Sequence, residues 1–368
     1  MSTLAAIGYG PFNAGWLAST LVITAPILLA TLGEVVSENA GVLNVGLEGM
    51  MLSGAFTSYY VAWKTNDPTL SLLAGAGGGL LFALIMALVA IEARADQIVS
   101  GIAINLLAIG ATGFGYDQIF GGQNLVTVHT LGNIAIPGLS KIPGGIGNAL
   151  FNHDIVLYLA ALLVPATWLL LYRSKWGLLI RAAGETPEAV DTAGASVRRI
   201  RWIATLWAGC LSGVGGAYLV LADVGIFGQN MTAGRGYLAL VAVIFGGWRP
   251  FGVALGALVF GGLEALQLRL AAVHALPSQV WLVVALVVAA FVLYRVTRGA
   301  ARPAVARLPW PAVVLVVASA TLFFAKPYIS LTSDIYSLIP YVVALVLLTA
   351  ALAKTRAPSK LTLPYTRG

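Results

Sequence analysis

Residues 279–294 run sixteen positions without a charge, and apolar stretches of similar length recur along the whole chain. A helix needs about 20 mostly apolar residues to cross some 30 Å of hydrocarbon, so runs of this kind, bounded by Gly, Pro and charged residues, dictate membrane-spanning helices. The pattern predicts helices near 14–33, 41–63, 70–91, 98–118, 153–173, 200–222, 236–247, 252–271, 279–296, 310–325 and 336–353. The expected fold is all-α: a polytopic transmembrane bundle of about 10–11 spans with broken or half helices. The segment 236–247 is too short to cross alone and is expected to be a half-helix or part of a broken span. Between 119 and 152 the chain is less apolar and rich in Gly and Pro, which predicts an external loop holding a short helix or a strand pair. No soluble domain of ordinary size fits anywhere, so 1–368 is expected to be one membrane domain.

Composition agrees. Of 368 residues, 59% are hydrophobic and 10% charged, with a mean hydropathy of +0.90, whereas soluble domains carry about 25% charged residues. Ordinary cytosolic enzymes and secreted modules are excluded on that ground. Cys210 is the single cysteine, which rules out an intrachain disulfide and Cys-based metal clusters. His129, His153 and His274 are scattered, no phosphate-binding G-x-x-x-x-G-K-[ST] loop is present, and no nucleophile–base–acid set occurs. Neither catalytic nor metal-ligating residues are therefore expected.

The net charge of +7 is read as orientation, not as affinity for nucleic acid, because Lys and Arg mark cytoplasmic loops. Basic residues gather in the loop 173–201 (Arg173, Lys175, Arg181, Arg198, Arg199, Arg201), the loop 295–307 and the tail 354–368. With Arg94 and Arg249, 16 of the 21 basic residues fall on one side. This predicts an N-terminus outside and a C-terminus inside. The first 63 residues lack Lys and Arg, so the first helix is expected to be retained, since a cleaved leader carries a positive start.

Four segments carry polar chemistry into this apolar frame. The first, around Gly41, Asn44, Gly46, Glu48 and Gly49, places Asn44 and Glu48 four apart on one helical face beside three glycines. Broken backbone at membrane depth survives only against protein or a water-filled cavity. Either Asn44 and Glu48 line a path, or Glu48 bonds free backbone N–H groups and holds the bend. Glu34 and Glu38, one turn earlier, are expected at the membrane surface. In the second segment Gln97, Gly101, Asn105 and Thr112 fall close to one face, which suits either a path lining or an interhelical hydrogen bond. Asp96 is expected to cap that helix. The third is the basic loop, where Thr186 as cap, Pro187 in the first turn, Glu188 and Gly194 punctuate a short cytoplasmic helix. The fourth runs from Met231 to Gly256, a short apolar helix between glycine breaks followed by the close-packing Gly252-x-x-x-Gly256. Further on, Glu264 and Gln267 share an intramembrane face and either line the path or bond to a neighbouring helix.

As they stand, GEVVSENAGVLNVGLEGMMLSG (33–54), ADQIVSGIAIN (95–105), RAAGETPEAVDTAG (181–194) and GRGYLALVAVIFGGWRPFGVALG (234–256) resemble the permease subunit of a bacterial ABC importer. The similar branch handles simple sugars and nucleosides and is related to the ribose and branched-chain amino acid permeases. The resemblance covers roughly 15–280 and the tail near 356–368. It implies a weakly binding, polar-lined path, for which the candidates read above are Asn44, Glu48, Gln97, Asn105, Glu264 and Gln267. It also implies an ATPase-coupling helix carried by Gly184, Glu185, Pro187, Glu188, Ala189 and Gly194, whose spacing is similar to a Glu-Ala-Ala-x-x-x-Gly signature. Implied partners are a second homologous permease, an ATP-binding subunit with two nucleotide sites, a substrate-binding lipoprotein and membrane lipid. No cofactor is expected in this chain, ATP and Mg being held by the ATPase. The implied place is the bacterial inner membrane, and the implied substrate a nucleoside or simple sugar. Residues 281–335 depart from the family pattern and read as an extra helical pair. The rival reading is an autonomous secondary transporter or channel for a small polar solute, which would have no use for the helix in 181–194.

Overall fold

A computed structural model describes residues 13–121, 127–273, 338–352 and 356–365, with Ser319, Thr321 and Tyr336. The expected helices at 279–296 and 310–325, and nearly all of the extra pair at 281–335, lie outside the described residues. The chain divides into two compact units, one of Leu17–Leu263 and Pro340–Gly368, the other of Met1–Trp16 and Glu264–Ile339.

The helices follow the apolar runs. They are α1 (Ala14–Asn39), α2 (Leu47–Thr65), α3 (Pro68–Ala87, continued by a π-helical turn over Leu88–Glu92), α4 (Gln97–Phe120), α5 (Ile146–Phe151) and α6 (Ile155–Arg173). Then come α7 (Lys175–Glu185), α8 (Pro187–Thr192), α9 (Val197–Tyr218, continued by a π-helical turn over Leu219–Val224), α10 (Arg235–Phe245), α11 (Pro250–Val273) and α12 (Ile339–Leu352). Six described helices, α1, α3, α4, α6, α9 and α11, are long and apolar enough to cross a membrane. The outer face of α4 exposes Ile98, Val99, Ile102, Leu106, Leu107 and Phe114, a surface that suits hydrocarbon and not water.

Short polar side chains set several helix starts. Asp67 accepts hydrogen bonds from Thr69 N and Leu70 N ahead of α3, with Pro68 at the first helical position. Asp96 does the same for α4 through Ile98 N and Val99 N, as expected. Asp154 caps α6 and also accepts a 2.7 Å bond from the Tyr218 hydroxyl.

The centre of the larger unit is a three-helix seam of α2, α3 and α9 in which glycines replace side chains. A Cβ at Gly216 would stand 1.8 Å from Met51 O, one at Gly79 2.1 Å from Gly209 O, and one at Gly54 2.3 Å from Gly213 O. Backbone therefore lies on backbone, the arrangement small residues permit where no hydrophobic drive separates helix from lipid.

Three expectations change. The helix expected over 41–63 starts at Leu47, because residues 40–46 form a turn at which Gly41 has φ +89°. The stretch expected as an external loop holds both elements named as alternatives: α5, and an antiparallel pair of β1 (Ile134–Ala135) with β2 (Asn152–His153). The basic loop holds two helices, α7 and α8, instead of one. Pro187 occupies the first turn of α8 and Gly194 (φ +82°) follows its end, but Thr186 makes no side-chain capping bond.

The smaller unit has its own contacts. Leu266, Leu270 and Tyr336 form a small core, and Arg269 Nη1 donates a 2.7 Å bond to Asn13 Oδ1.

Candidate functional site at the α1–α2 break

Between Asn39 and Leu47 the backbone leaves the helical ladder, so its N–H and C=O groups need partners from elsewhere. Four side chains that sequence analysis placed on a path converge here: Asn44, Glu48, Gln97 and Asn105, exposed by 0, 3, 3 and 2%. Gln97 Oε1 accepts a 2.8 Å bond from Leu43 N. Asn44 Oδ1 accepts from Gly46 N at 3.1 Å. Asn105 accepts from Gly49 N at 2.8 Å and donates through Nδ2 to Val45 O (3.0 Å) and to the Tyr237 hydroxyl (2.9 Å). One α4 amide thus stitches the α2 end of the break to α10.

Glu48 stands in the first turn of α2 and points at the start of another helix. Its Oε1 accepts from Thr232 Oγ1 (2.6 Å) and Gly234 N (2.8 Å), and its Oε2 from Gly236 N (2.7 Å). The carboxylate therefore sits where the free N–H groups and positive dipole end of α10 favour an anion. The approach demands glycine: a Cβ at Gly236 would lie 2.5 Å from Glu48 N. Gly234 supplies the left-handed turn before the helix, at φ +85°. In the structure Glu48 holds the backbone of the partner helix α10, which extends the bend-holding alternative beyond its own break.

Glu34 and Glu38, expected at the surface, are fully buried. Glu34 Oε1 accepts a 2.8 Å bond from Asn44 N, and Glu38 Oε2 accepts from Trp248 Nε1. The reason is that α1 runs past Gly33 to Asn39 and its last turns are wrapped by the break and by the α10–α11 turn. Trp248, at φ +57°, also offers its carbonyl to Asn39 Nδ2 at 3.3 Å.

The basic segment 173–201 also meets this break. At Gly184, the end of α7 lies so near that a Cβ would be 2.3 Å from Asn39 O. Arg201, counted in the basic loop, is instead buried on α9 and donates through Nε to Ala40 O at 3.2 Å. Of the expected coupling residues, Pro187 is buried, and Glu185, Glu188, Ala189 and Gly194 are exposed at the surface of α7 and α8. Glu264 and Gln267 belong to the smaller unit and are half-buried there.

Sequence reasoning missed Thr232, Tyr237, Trp248 and Arg201. The only local signal was the Gly234-Arg235-Gly236 start of a short helix, which announces unpaired N–H groups but not which acid answers them. Chemically the site offers hydrogen bonds in both directions: acceptors on Glu34, Glu38 and Glu48, donors and acceptors on Asn44, Gln97, Asn105, Thr232 and Tyr237. It contains no activated nucleophile. Among the described residues no cluster of three His, Cys, Asp or Glu side chains stands ready to hold a metal.

Comparison with known proteins adds a family and named relatives. The family model for the permease component of the branched-chain amino acid transport system matches residues 16–297. An ABC transporter permease protein of Haloferax volcanii named for glucose, TsgC13, is 40% identical over 70% of this chain and 78% of its own length. The guanosine ABC transporter permease protein NupQ of Bacillus subtilis is 40% identical over 68% of this chain and 81% of its own. The nucleoside ABC transporter permease protein NupC of Lactococcus lactis is 38% identical over 68% and 80%.

Proposed function

The chain belongs to the family of branched-chain amino acid transport permease components, and from that premise we propose that it forms half the translocation pore of an ATP-driven nucleoside importer. The observation that carries this reading is the backbone contact of Gly184 with Asn39, which joins the segment expected to seat in an ATPase directly to the polar break. A stand-alone carrier has no use for such a segment.

In this mechanism the chain holds no ATP or Mg; both sit in the partner ATPase with its two nucleotide sites. Closure of the ATPase pair moves α7 and α8, and the shift passes to residues 40–46. There Asn44, Glu48, Gln97 and Asn105 trade hydrogen bonds among backbone, neighbouring side chains and the hydroxyl and ring groups of a passing solute. Exchange among near-equal partners keeps binding weak, as release on the far side requires. Glu264 and Gln267, half-buried in the smaller unit, are further candidates to meet the solute. A second homologous permease completes the pore, a substrate-binding lipoprotein delivers the solute, and lipid surrounds the spans. The chain spans the bacterial inner membrane with its C-terminus and basic loops inside.

Nucleosides are favoured by the relatives named for guanosine and nucleosides; the relative named for glucose supports simple sugars as the second reading. Uptake of labelled guanosine and of labelled glucose by cells with and without this gene decides between them. Loss of guanosine uptake on deletion is expected, and loss of glucose uptake alone would transfer the assignment to sugars. Charge reversal at both Glu185 and Glu188 should abolish ATPase capture and uptake together. Unchanged uptake would sink the coupling role of α7 and α8.

A further inference from the structure

The tail 356–365 folds back onto the very elements that join the cytoplasmic segment to the break. Lys360 N donates a 2.9 Å bond to Gly184 O, extending the backbone at the end of α7. Ser359 Oγ bonds both the carbonyl oxygen of Glu185 (3.0 Å) and its carboxylate, and Ser359 N reaches that carboxylate at 3.3 Å. Lys360 Nζ stands 3.7 Å from Glu188 Oε1 on α8. A few residues on, Leu363 O accepts a 2.8 Å bond from Arg201 Nη1, while Arg201 Nε holds Ala40 O.

Arg201 is the unusual member. It is only 4% exposed and makes no ion pair among the described residues; it donates to two carbonyl oxygens, and Nη2 has no partner there. Burying a guanidinium without a carboxylate is costly, and a well-packed apolar residue would serve mere packing at least as well. What Arg alone supplies is a rigid fork of donors that can grip two backbone segments at once. The two segments are the break and the tail, 161 and 162 residues away in sequence. Room for the fork comes from Gly41, where a Cβ would lie 2.9 Å from Arg201 Nη2.

We infer that residues 356–365 form a strap, with Arg201 as its pin, that keeps α7 and α8 seated on the α1–α2 break so that their movement reaches the path. The inference rests on the proposed docking of α7 and α8 to an ATPase. Arg201 is a positioning residue: it touches neither solute nor nucleotide, and acts by fixing where Ala40 sits relative to Gly184.

The test uses the importer assembled from its own chains in lipid vesicles, comparing wild type with Arg201→Met, Arg201→Lys and Ser359→Ala. Guanosine moved per ATP hydrolysed is measured beside ATPase retention. Arg201→Met should lower that ratio at least fivefold with the ATPase still bound. Arg201→Lys should recover only part, because an ammonium lacks the fork, and Ser359→Ala should show a smaller loss. A readout free of solute uses spin labels at Thr192→Cys and Gly228→Cys in a Cys210→Ser background. ATP should change their distance in wild type and not in Arg201→Met. If wild type fails to move guanosine yet ATP changes the distance in wild type and not in Arg201→Met, the substrate reading fails and the strap stands. An unchanged ratio and an unchanged distance response in Arg201→Met would overturn the strap. So would loss of folded protein in both Arg201→Met and Ser359→Ala, which would assign the contacts to stability alone.

Discussion

The α2–α3–α9 seam and the α1–α2 break are held together by opposite means. In the seam, backbone touches backbone through Gly54, Gly79, Gly209, Gly213 and Gly216, and the contact is steric: it either fits or does not. At the break, polar side chains make most of the joints, by hydrogen bonds to main chain near and far and to one another, and such bonds can change partner. A transporter needs both kinds of joint, a frame that does not yield and a path that does. Close packing makes interiors switch between discrete arrangements instead of deforming smoothly. In the proposed mechanism, movement therefore belongs to the break and not to the seam.

The largest expected effect breaks the frame. Gly216→Ala puts a methyl group 1.8 Å from Met51 O, and because the obstacle is backbone it should cost about 3 kcal/mol or more, at the upper end of overpacking. Gly77→Ala is the control in the neighbouring helix face. Among the described residues nothing lies within 4 Å of its Cβ, so the usual helical gain of about 0.5–1 kcal/mol should appear instead. Thermal unfolding in detergent reads both; similar values for the two would remove the distinction between seam and surface.

Next comes Glu48→Gln, which keeps shape but turns one acceptor oxygen into a donor facing Thr232, Gly234 or Gly236. A loss of about 2–3 kcal/mol is expected for charge-assisted bonds, with guanosine uptake failing while the folded complex still assembles. If assembly fails along with uptake, the break is as rigid as the seam. Asn105→Leu should cost about 1–3 kcal/mol, since it strands Gly49 N and Val45 O. Its uptake loss should exceed its stability loss if the amide exchanges partners during transport. The smallest effect sharpens the scale from outside both regions: Asp67→Ala removes the α3 cap and should cost about 1 kcal/mol, with uptake per folded molecule unchanged.

Much of this was written in the chain locally. Apolar runs gave the helices, Asp96 and Pro187 gave starts, and the three glycines around Asn44 gave the break. What the sequence withheld were contacts between distant positions. Glu34 and Glu38 read as surface acids because nothing nearby reveals that Trp248, 210 residues on from Glu38, covers it, or that the break folds back so that Asn44 N meets Glu34. Arg201 read as one more orienting charge because its partners are backbone carbonyls, which no side-chain pattern reports. Thr186 had the type and place of a cap, yet α7 runs straight into it and leaves its hydroxyl without that role.

The seam also has a consequence for synthesis. Gly79 and Gly209 are separated by 130 residues, and ribosomes add about 5–20 residues per second. The α2–α3 hairpin therefore enters the bilayer on the order of ten seconds before α9 exists to fill its groove. During that interval the slot shaped for bare backbone stands without the helix that fills it. A chain stalled in that window would carry an unfilled glycine groove, the earliest point at which quality control could recognise it.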